Sequence, residues 1–239
     1  MRQNNISLLS TRPLQQELIA KAAEKNISIE MVPFIETRPI VSESLRQRIL
    51  HLSHHILTVV FTSVNAVDAV AKALNGAQPS WKVFCIGSAT RQAIEKFFSN
   101  ITIVGEADAA TALADEIIAQ KNIHSVIFFG GDRRREELPE KLSKHHIDLH
   151  EIPVYTTMET PRQLDKDFDG ILFCSPSAVN SFFSLNKINP ETILFAIGQS
   201  TANEIKRHTD NKITISRKPG KELLAGLAID YFETRNRER

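Results

Sequence analysis

What most constrains this chain is that its first half is written a second time. Residues 6–40 align without a gap on 126–160 at an offset of 120, pairing Glu17 with Glu137, Leu18 with Leu138, Ile27 with Ile147, Pro33 with Pro153 and Thr37 with Thr157. V-V-F-T-S-V-N-A-V (59–67) returns as I-L-F-C-S-P-S-A-V (171–179) at an offset of 112, and V-F-C-I-G-S-A-T (83–90) returns as L-F-A-I-G-Q-S-T (194–201) at 111. A repeat of this length predicts two lobes of one architecture, with function sought where their turns face each other across a cleft. The chain has 239 residues, 42% of them apolar. That is enough to fill two cores of about 110–120 residues each, and no extra domain is expected.

Short apolar runs of strand length alternate with helical stretches: I-S-L-L, I-S-I-E-M-V, L-T-V-V-F, V-F-C-I, I-T-I-V, S-V-I-F-F, I-D-L-H-E-I, I-L-F, I-L-F-A-I and I-T-I. The order β-α-β-α predicts an α/β fold with parallel sheets covered by helices on both faces. The helical stretches are amphipathic, with Leu14, Leu18, Ala22 and Ala23 on one face of the first and Leu113, Ile117 and Ile118 on one face of another. Two repeat-equivalent segments, P-F-I-E-T-R-P-I (33–40) and I-P-V-Y-T-T-M-E-T-P (152–161), are bounded by proline and poor in helix signals, as linker strands would be. If the chain crosses between lobes at both, one lobe is 41–151, the other is 1–33 plus 162–239, and 34–40 and 152–161 are the linkers. A single cut near residue 123 is the alternative. The prolines favour the first.

Lys and Arg number 29 against 28 Asp and Glu, a net charge of +1, so no global field recruits nucleic acid or a membrane. The first residues lack the apolar core of a signal peptide, and no window approaches the roughly 18 apolar residues of a membrane span. A cytoplasmic protein is expected. Cys85 and Cys174 lie in apolar runs, which predicts buried reduced thiols without chemistry.

The runs end in small hydroxyl or glycine clusters: S-T-R-P (10–13), T-S-V-N-A (62–66), G-S-A-T (87–90), G-G-D-R-R (130–134), C-S-P-S-A (174–178) and G-Q-S-T (198–201). Unpaired N–H groups at helix starts carry partial positive charge and can hold carboxylates or phosphates, and in open α/β sheets ligands bind at this carboxyl edge. Taken singly, each Ser or Thr reads as an ordinary N-cap. Together they nominate Thr11, Arg12, Ser63, Asn65, Gly87, Thr90, Gly131, Arg133, Ser175, Ser177, Gly198 and Thr201 as anion-binding residues. Arg133, Arg134 and Arg135 read equally as a clamp or as a helix face paired with Glu136 and Glu137. G-x-G-x-x-G and G-x-x-x-x-G-K-[ST] are both missing, which argues against a nucleotide site. His54, His55, His145 and His146 lack partners at metal-ligand spacing, and no metal site is expected. Tyr155, one of only two tyrosines, sits in a linker segment. Its hydroxyl could donate a proton there, or its ring could simply pack in a half-buried strand.

F-T-S-x-N-A-V (61–67), I-G-x-x-T (86–90 and 197–201), F-F-G-G-D-R (128–133), P-V-Y (153–155) and F-x-S-P-S-A-V (173–179) together resemble the uroporphyrinogen-III synthase family over nearly the whole chain. The resemblance implies two flavodoxin-like lobes joined by a two-stranded linker. It also implies closure of the linear tetrapyrrole hydroxymethylbilane into uroporphyrinogen III, with ring D inverted and water lost, without metal or organic cofactor; the sequence itself gives no sign of oligomerisation, and a monomer is expected. By the same resemblance Tyr155 is the linker tyrosine that assists departure of the hydroxyl. Thr90 and Thr201 match the hydroxyl residues of the glycine turns, and Ser63, Ser175 and Ser177 those of the strand-end turns. Ser88 and Gln199 stand where many relatives carry proline, and Asp132 replaces a more neutral residue.

Hydroxymethylbilane ionises readily to an azafulvene, and unassisted closure gives the uninverted isomer, so the enzyme's task is chiefly orientation. Tyrosine, with an ordinary pKa of about 10, donates a proton at neutral pH and is a poor base, which suits a dehydration. The competing class is a non-catalytic two-lobed module for a small anion. Against that module stand the missing export signal and the missing helix-turn-helix. A flavodoxin-like electron carrier would leave one lobe idle and lacks aromatics to flank a flavin.

Overall fold

The structure is a computed structural model that describes residues 5–133, 136–218 and 220–237. In chain order its elements are β1 (Ile6–Ser10), α1 (Gln16–Glu24), β2 (Ile27–Met31), β3 (Ile35–Pro39), α2 (Glu43–Ser53), β4 (Thr58–Phe61) and α3 (Val64–Leu74). Next come β5 (Lys82–Ile86), α4 (Ser88–Phe97), β6 (Thr102–Ala107), α5 (Ala110–Ala119), β7 (Ser125–Gly131), α6 (Glu137–Lys144) and β8 (Asp148–Glu159). The chain ends with β9 (Gly170–Phe173), α7 (Pro176–Phe183), β10 (Ile193–Ala196), α8 (Gln199–Ile205), β11 (Ile213–Ile215) and α9 (Lys221–Arg237). Residues up to 36 and from 158 onward form one compact unit, and residues 37–157 form a second. The chain passes between them within β3 and again within β8.

The first unit carries a five-stranded sheet in the order β2-β1-β9-β10-β11, with every registered pair parallel. In chain order these strands stand 2-1-3-4-5, the flavodoxin arrangement. Its central strands are buried along their whole length, as Gly170–Phe173 and Ile193–Ala196 show. Strands covered on both faces read as continuous apolar runs, which is why I-L-F and I-L-F-A-I carry no polar alternation. Alternate residues still choose opposite faces. Leu8, Leu172 and Phe195 pack with α1 and α9, while Leu9, Ile171, Phe173 and Leu194 pack with α7 and α8.

The second unit has the order β3-β8-β7-β4-β5-β6. The 120-residue offset matches β7 and β8 to β1 and β2, and the shorter offsets match β4, β5 and β6 to β9, β10 and β11. With β3 set aside, the spatial order β8-β7-β4-β5-β6 therefore repeats that of the first unit strand for strand. Val59, Phe61, Val83 and Cys85 face α2, α3 and α4, whereas Val60 and Phe84 face α5 and α6. Phe61 and Phe129 stack at 5.5 Å and Trp81 lies 5.6 Å from Phe129. Burying side chains of this size contributes roughly 1.5–3 kcal/mol each.

Candidate functional site

In a 2-1-3-4-5 sheet the connections depart in opposite directions after the first and third strands, which opens a crevice at their carboxyl ends. That point lies between β1 and β9 in the first unit and between β7 and β4 in the second. The residues there are Ser10–Arg12 with Cys174–Ser177, and Gly130–Arg133 with Thr62–Asn65.

In the second unit a register shift separates Gly130, which faces Pro153, from Gly131, which faces Tyr155. Val154 is skipped, which makes this a β-bulge. In a regular strand Val154 and Tyr155 would point to opposite faces. Here both pack on the cluster around Phe61 and Phe129, because a bulge sets two consecutive side chains on one side. The half-buried phenol thus reaches the end of β4, where the Ser63 hydroxyl donates to its oxygen at 3.3 Å. Ser63 is also the N-cap of α3 and accepts from Ala66 N–H at 3.3 Å. A Cβ on Gly131 would lie 2.7–3.0 Å from Cε2, Cζ and Oη of Tyr155, so the bare backbone there is what admits the ring. Asp132 holds the bulged strand: its N–H donates to Tyr155 O at 3.0 Å and its carboxylate accepts from Thr157 N–H at 2.9 Å. The half-buried Asn65 side chain makes no hydrogen bond among the described residues. Arg133 is exposed and already engaged, and Arg134 and Arg135 lie outside the described residues.

In the first unit the repeat counterpart of Gly131 is Thr11, fully buried. Its hydroxyl donates to Leu172 O at 2.8 Å and accepts from Cys174 N–H at 3.2 Å, bridging β1 to β9. Thr11 therefore joins two strands rather than offering a hydroxyl to a ligand. Arg12 beside it is half-buried and forms no ion pair among the described residues. Ser175 caps α7 by accepting from Ala178 N–H at 3.2 Å, and Ser177 is already engaged. Burial pushes the Cys174 thiol up to about 11 against the pull of the Arg12 guanidinium, and burial with the Glu106 carboxylate pushes Cys85 to about 11 as well. Both are inert thiols at neutral pH.

The glycine turns behave differently from the serine turns. Gly87 and Gly198 occupy the N-cap positions of α4 and α8, and a Cβ on either would meet open space. Thr90 is 4% exposed and Thr201 fully buried, its hydroxyl without a partner among the described residues. These two side chains face inward, leaving the backbone of each turn as its open part. S-T-R-P and G-G-D-R-R do not open helices directly: α1 is preceded by Gln15 and α6 by Glu136, neither with a side-chain cap. Ser10 instead donates to Arg12 O at 2.7 Å.

Sequence reasoning missed three placements here. They are the clearance at Gly131, the Asp132 tie to β8, and Lys221, whose ammonium donates to Pro13 O at 2.7 Å. The signal for the first was present in the repeat, since glycine in one copy stands against threonine in the other. No group of three or more potential metal ligands occurs among the described residues, and none of their helices is long and apolar enough to cross a membrane. A cavity of about 400 Å³ lies at the amino end of β9, lined by Phe168, Ile171, Phe182 and Asn186. It is at the opposite edge of the sheet from the turns above.

Three comparisons bear on this geometry. The sequence family described as uroporphyrinogen-III synthase HemD matches residues 16–225. No curated protein sequence matches the chain. A solved uroporphyrinogen-III synthetase from Helicobacter pylori is similar over 95% of this chain and 99% of its own, with 15% identity and a TM-score of 0.68. A mutant uroporphyrinogen III synthase from the extremely thermophilic bacterium Thermus thermophilus is similar over 98% and 99%, with 12% identity and a TM-score of 0.62. At such identities the two structures speak to the fold, and the family match speaks to descent.

Proposed function

The chain belongs to the uroporphyrinogen-III synthase family, and from that premise we propose that it closes hydroxymethylbilane into uroporphyrinogen III, inverting ring D and releasing water. The observation that carries this reading is the family match over residues 16–225. The enzyme is a lyase of tetrapyrrole biosynthesis, and the anion-binding module is the reading the family match disfavours.

The chemistry asks for a proton at one oxygen and for control of a flexible polyanion. As the hydroxymethyl C–O bond breaks, the leaving oxygen takes the Tyr155 phenol proton and departs as water, leaving an azafulvenium cation beside the phenolate. Ring D attacks through its substituted carbon to give a spiro intermediate, which fragments and recloses with that ring inverted. The proton released on rearomatisation restores the phenol. No electrons are gained or lost overall, so the sequence of steps needs no redox cofactor. Each unit has its own donors suited to a substrate carboxylate: the N-terminus of α7, the open backbone at Gly198 and Arg12 in the first, and the N-terminus of α3 with the open backbone at Gly87 in the second. Fixed donors of this kind supply orientation without strong acids or bases. The two-lobed organisation with linkers at 34–40 and 152–161 belongs to the same reading, as does a cytoplasmic monomer acting on a small molecule without nucleic acid or membrane.

A coupled assay with freshly generated hydroxymethylbilane, followed by oxidation and separation of porphyrin isomers, tests the proposal. A shift from isomer I to isomer III is the expected result. Isomer I alone from folded protein would overturn it. Tyr155→Phe should slow turnover without abolishing it, because the substrate ionises readily by itself.

A further inference from the structure

The Ser63 hydroxyl makes two hydrogen bonds where helix capping needs only one. It accepts from Ala66 N–H at 3.3 Å, as an N-cap must, and it also donates to Tyr155 Oη at 3.3 Å. Its repeat counterpart Ser175 accepts from Ala178 N–H at 3.2 Å, and the counterpart of Tyr155 is Ile35, packed in the apolar cluster around Phe34 and Phe173. The donating half of the arrangement thus occurs in one copy of the repeat only. In that copy alone glycine replaces threonine at position 131 and leaves room for the phenol.

We propose that Ser63 is a positioning residue for Tyr155: it fixes which way the phenol directs its proton and stabilises the oxygen once that proton has gone. The proposal rests on the reading of Tyr155 as proton donor. With one lone pair of Oη occupied by the Ser63 proton, the phenol's own hydrogen is turned away from Ser63 and toward whatever approaches the sheet edge. When the proton is transferred, the phenolate retains the Ser63 donor. Behind Ser63 stands Ala66 N–H in the first turn of α3, where the helix carries partial positive charge. An interaction that strengthens as charge develops lowers the barrier rather than tightening substrate binding. Ser63 therefore acts on kcat and leaves KM alone.

The test compares Ser63→Gly and Ser63→Thr, each with Tyr155 and with Tyr155→Phe, in rapid-quench turnover of enzymatically generated hydroxymethylbilane. Glycine replaces serine at an N-cap at little cost and removes the donor, and Trp81 fluorescence with far-ultraviolet circular dichroism confirms folding. Ser63→Gly should lower kcat about tenfold, equivalent to about 1.4 kcal/mol, with KM unchanged. Ser63→Thr, which keeps both halves of the arrangement, should recover kcat to within about twofold. In the Tyr155→Phe background Ser63→Gly should have no further effect. If Ser63→Gly slows turnover equally in both backgrounds, or raises KM alone, Ser63 acts on substrate directly and the proposal fails while Tyr155 stands. If Tyr155→Phe leaves turnover untouched, the proton-donor reading fails and takes this one with it.

Discussion

At Gly131 a Cβ atom would stand 2.7 Å from Cε2 of Tyr155 and 2.8 Å from Cζ, and the ring it would strike is packed on the Phe61 and Phe129 cluster. Gly131→Ala must therefore push the phenol away from Ser63, at an overpacking cost of about 1–3 kcal/mol. Its kcat should fall at least as far as that of Tyr155→Phe while circular dichroism stays native. Normal turnover would show that the ring position does not matter. The thiols give a second residue-scale prediction. Cys85 and Cys174 are held at about 11 rather than the ordinary 9.0, chiefly by burial. Between those values the unfolded chain has lost the protons and the folded chain keeps them. The thiol contribution to stability is thus complete below pH 9 and drains away as pH rises toward 11, by at most about 1.4 kcal/mol per pH unit for each group. Iodoacetamide at pH 8 should label neither cysteine until urea is added, and Cys85→Ala with Cys174→Ala should flatten the alkaline loss of stability.

The repeat is visible even in the turns between elements. Asn26 closes α1 into β2 with φ of 58°, and 120 residues later His146 closes α6 into β8 with φ of 57°. Both residue types are among those enriched in the left-handed region, yet the Cβ of His146 still carries a steric cost there that glycine avoids, in an exposed position that has no packing to lose. His146→Gly should raise urea stability by about 0.5–1 kcal/mol, and His146→Val should lower it by at least about 1 kcal/mol. Equal stability of the three proteins would mean that the turn is not strained. Much at this scale was legible beforehand. The alternation of strands and helices followed from apolar runs separated by helical periodicity, and Ser63 and Ser175 were recognisable as caps from their place before apolar helices. The bulge was not legible, because P-V-Y reads as plain alternation and only the partner strand reveals the skipped Val154. Nor could the chain say that the Thr11 hydroxyl is committed to Leu172 and Cys174, since Thr11 and Leu172 are 161 residues apart in sequence.

Each of the four apolar clusters among the described residues lies wholly within one compact unit. A hydrophobic core is the cooperative element of a small domain, so units with separate cores should unfold as separate transitions. The chain is labelled for this test by its own composition. Its single tryptophan, Trp81, is 1% exposed, packed against Phe129 in the second unit and tied to Leu52 O through Nε1 at 3.2 Å. Tryptophan fluorescence therefore follows the second unit alone, while far-ultraviolet circular dichroism follows both. Thr11→Val supplies the perturbation, because it removes the hydroxyl that bridges β1 and β9 and leaves the Cys174 N–H buried without a partner, a loss of about 1–3 kcal/mol. In urea, Thr11→Val should move part of the dichroism transition to lower denaturant and leave the Trp81 transition where it was. A common shift of both signals would mean that the two cores unfold as one block.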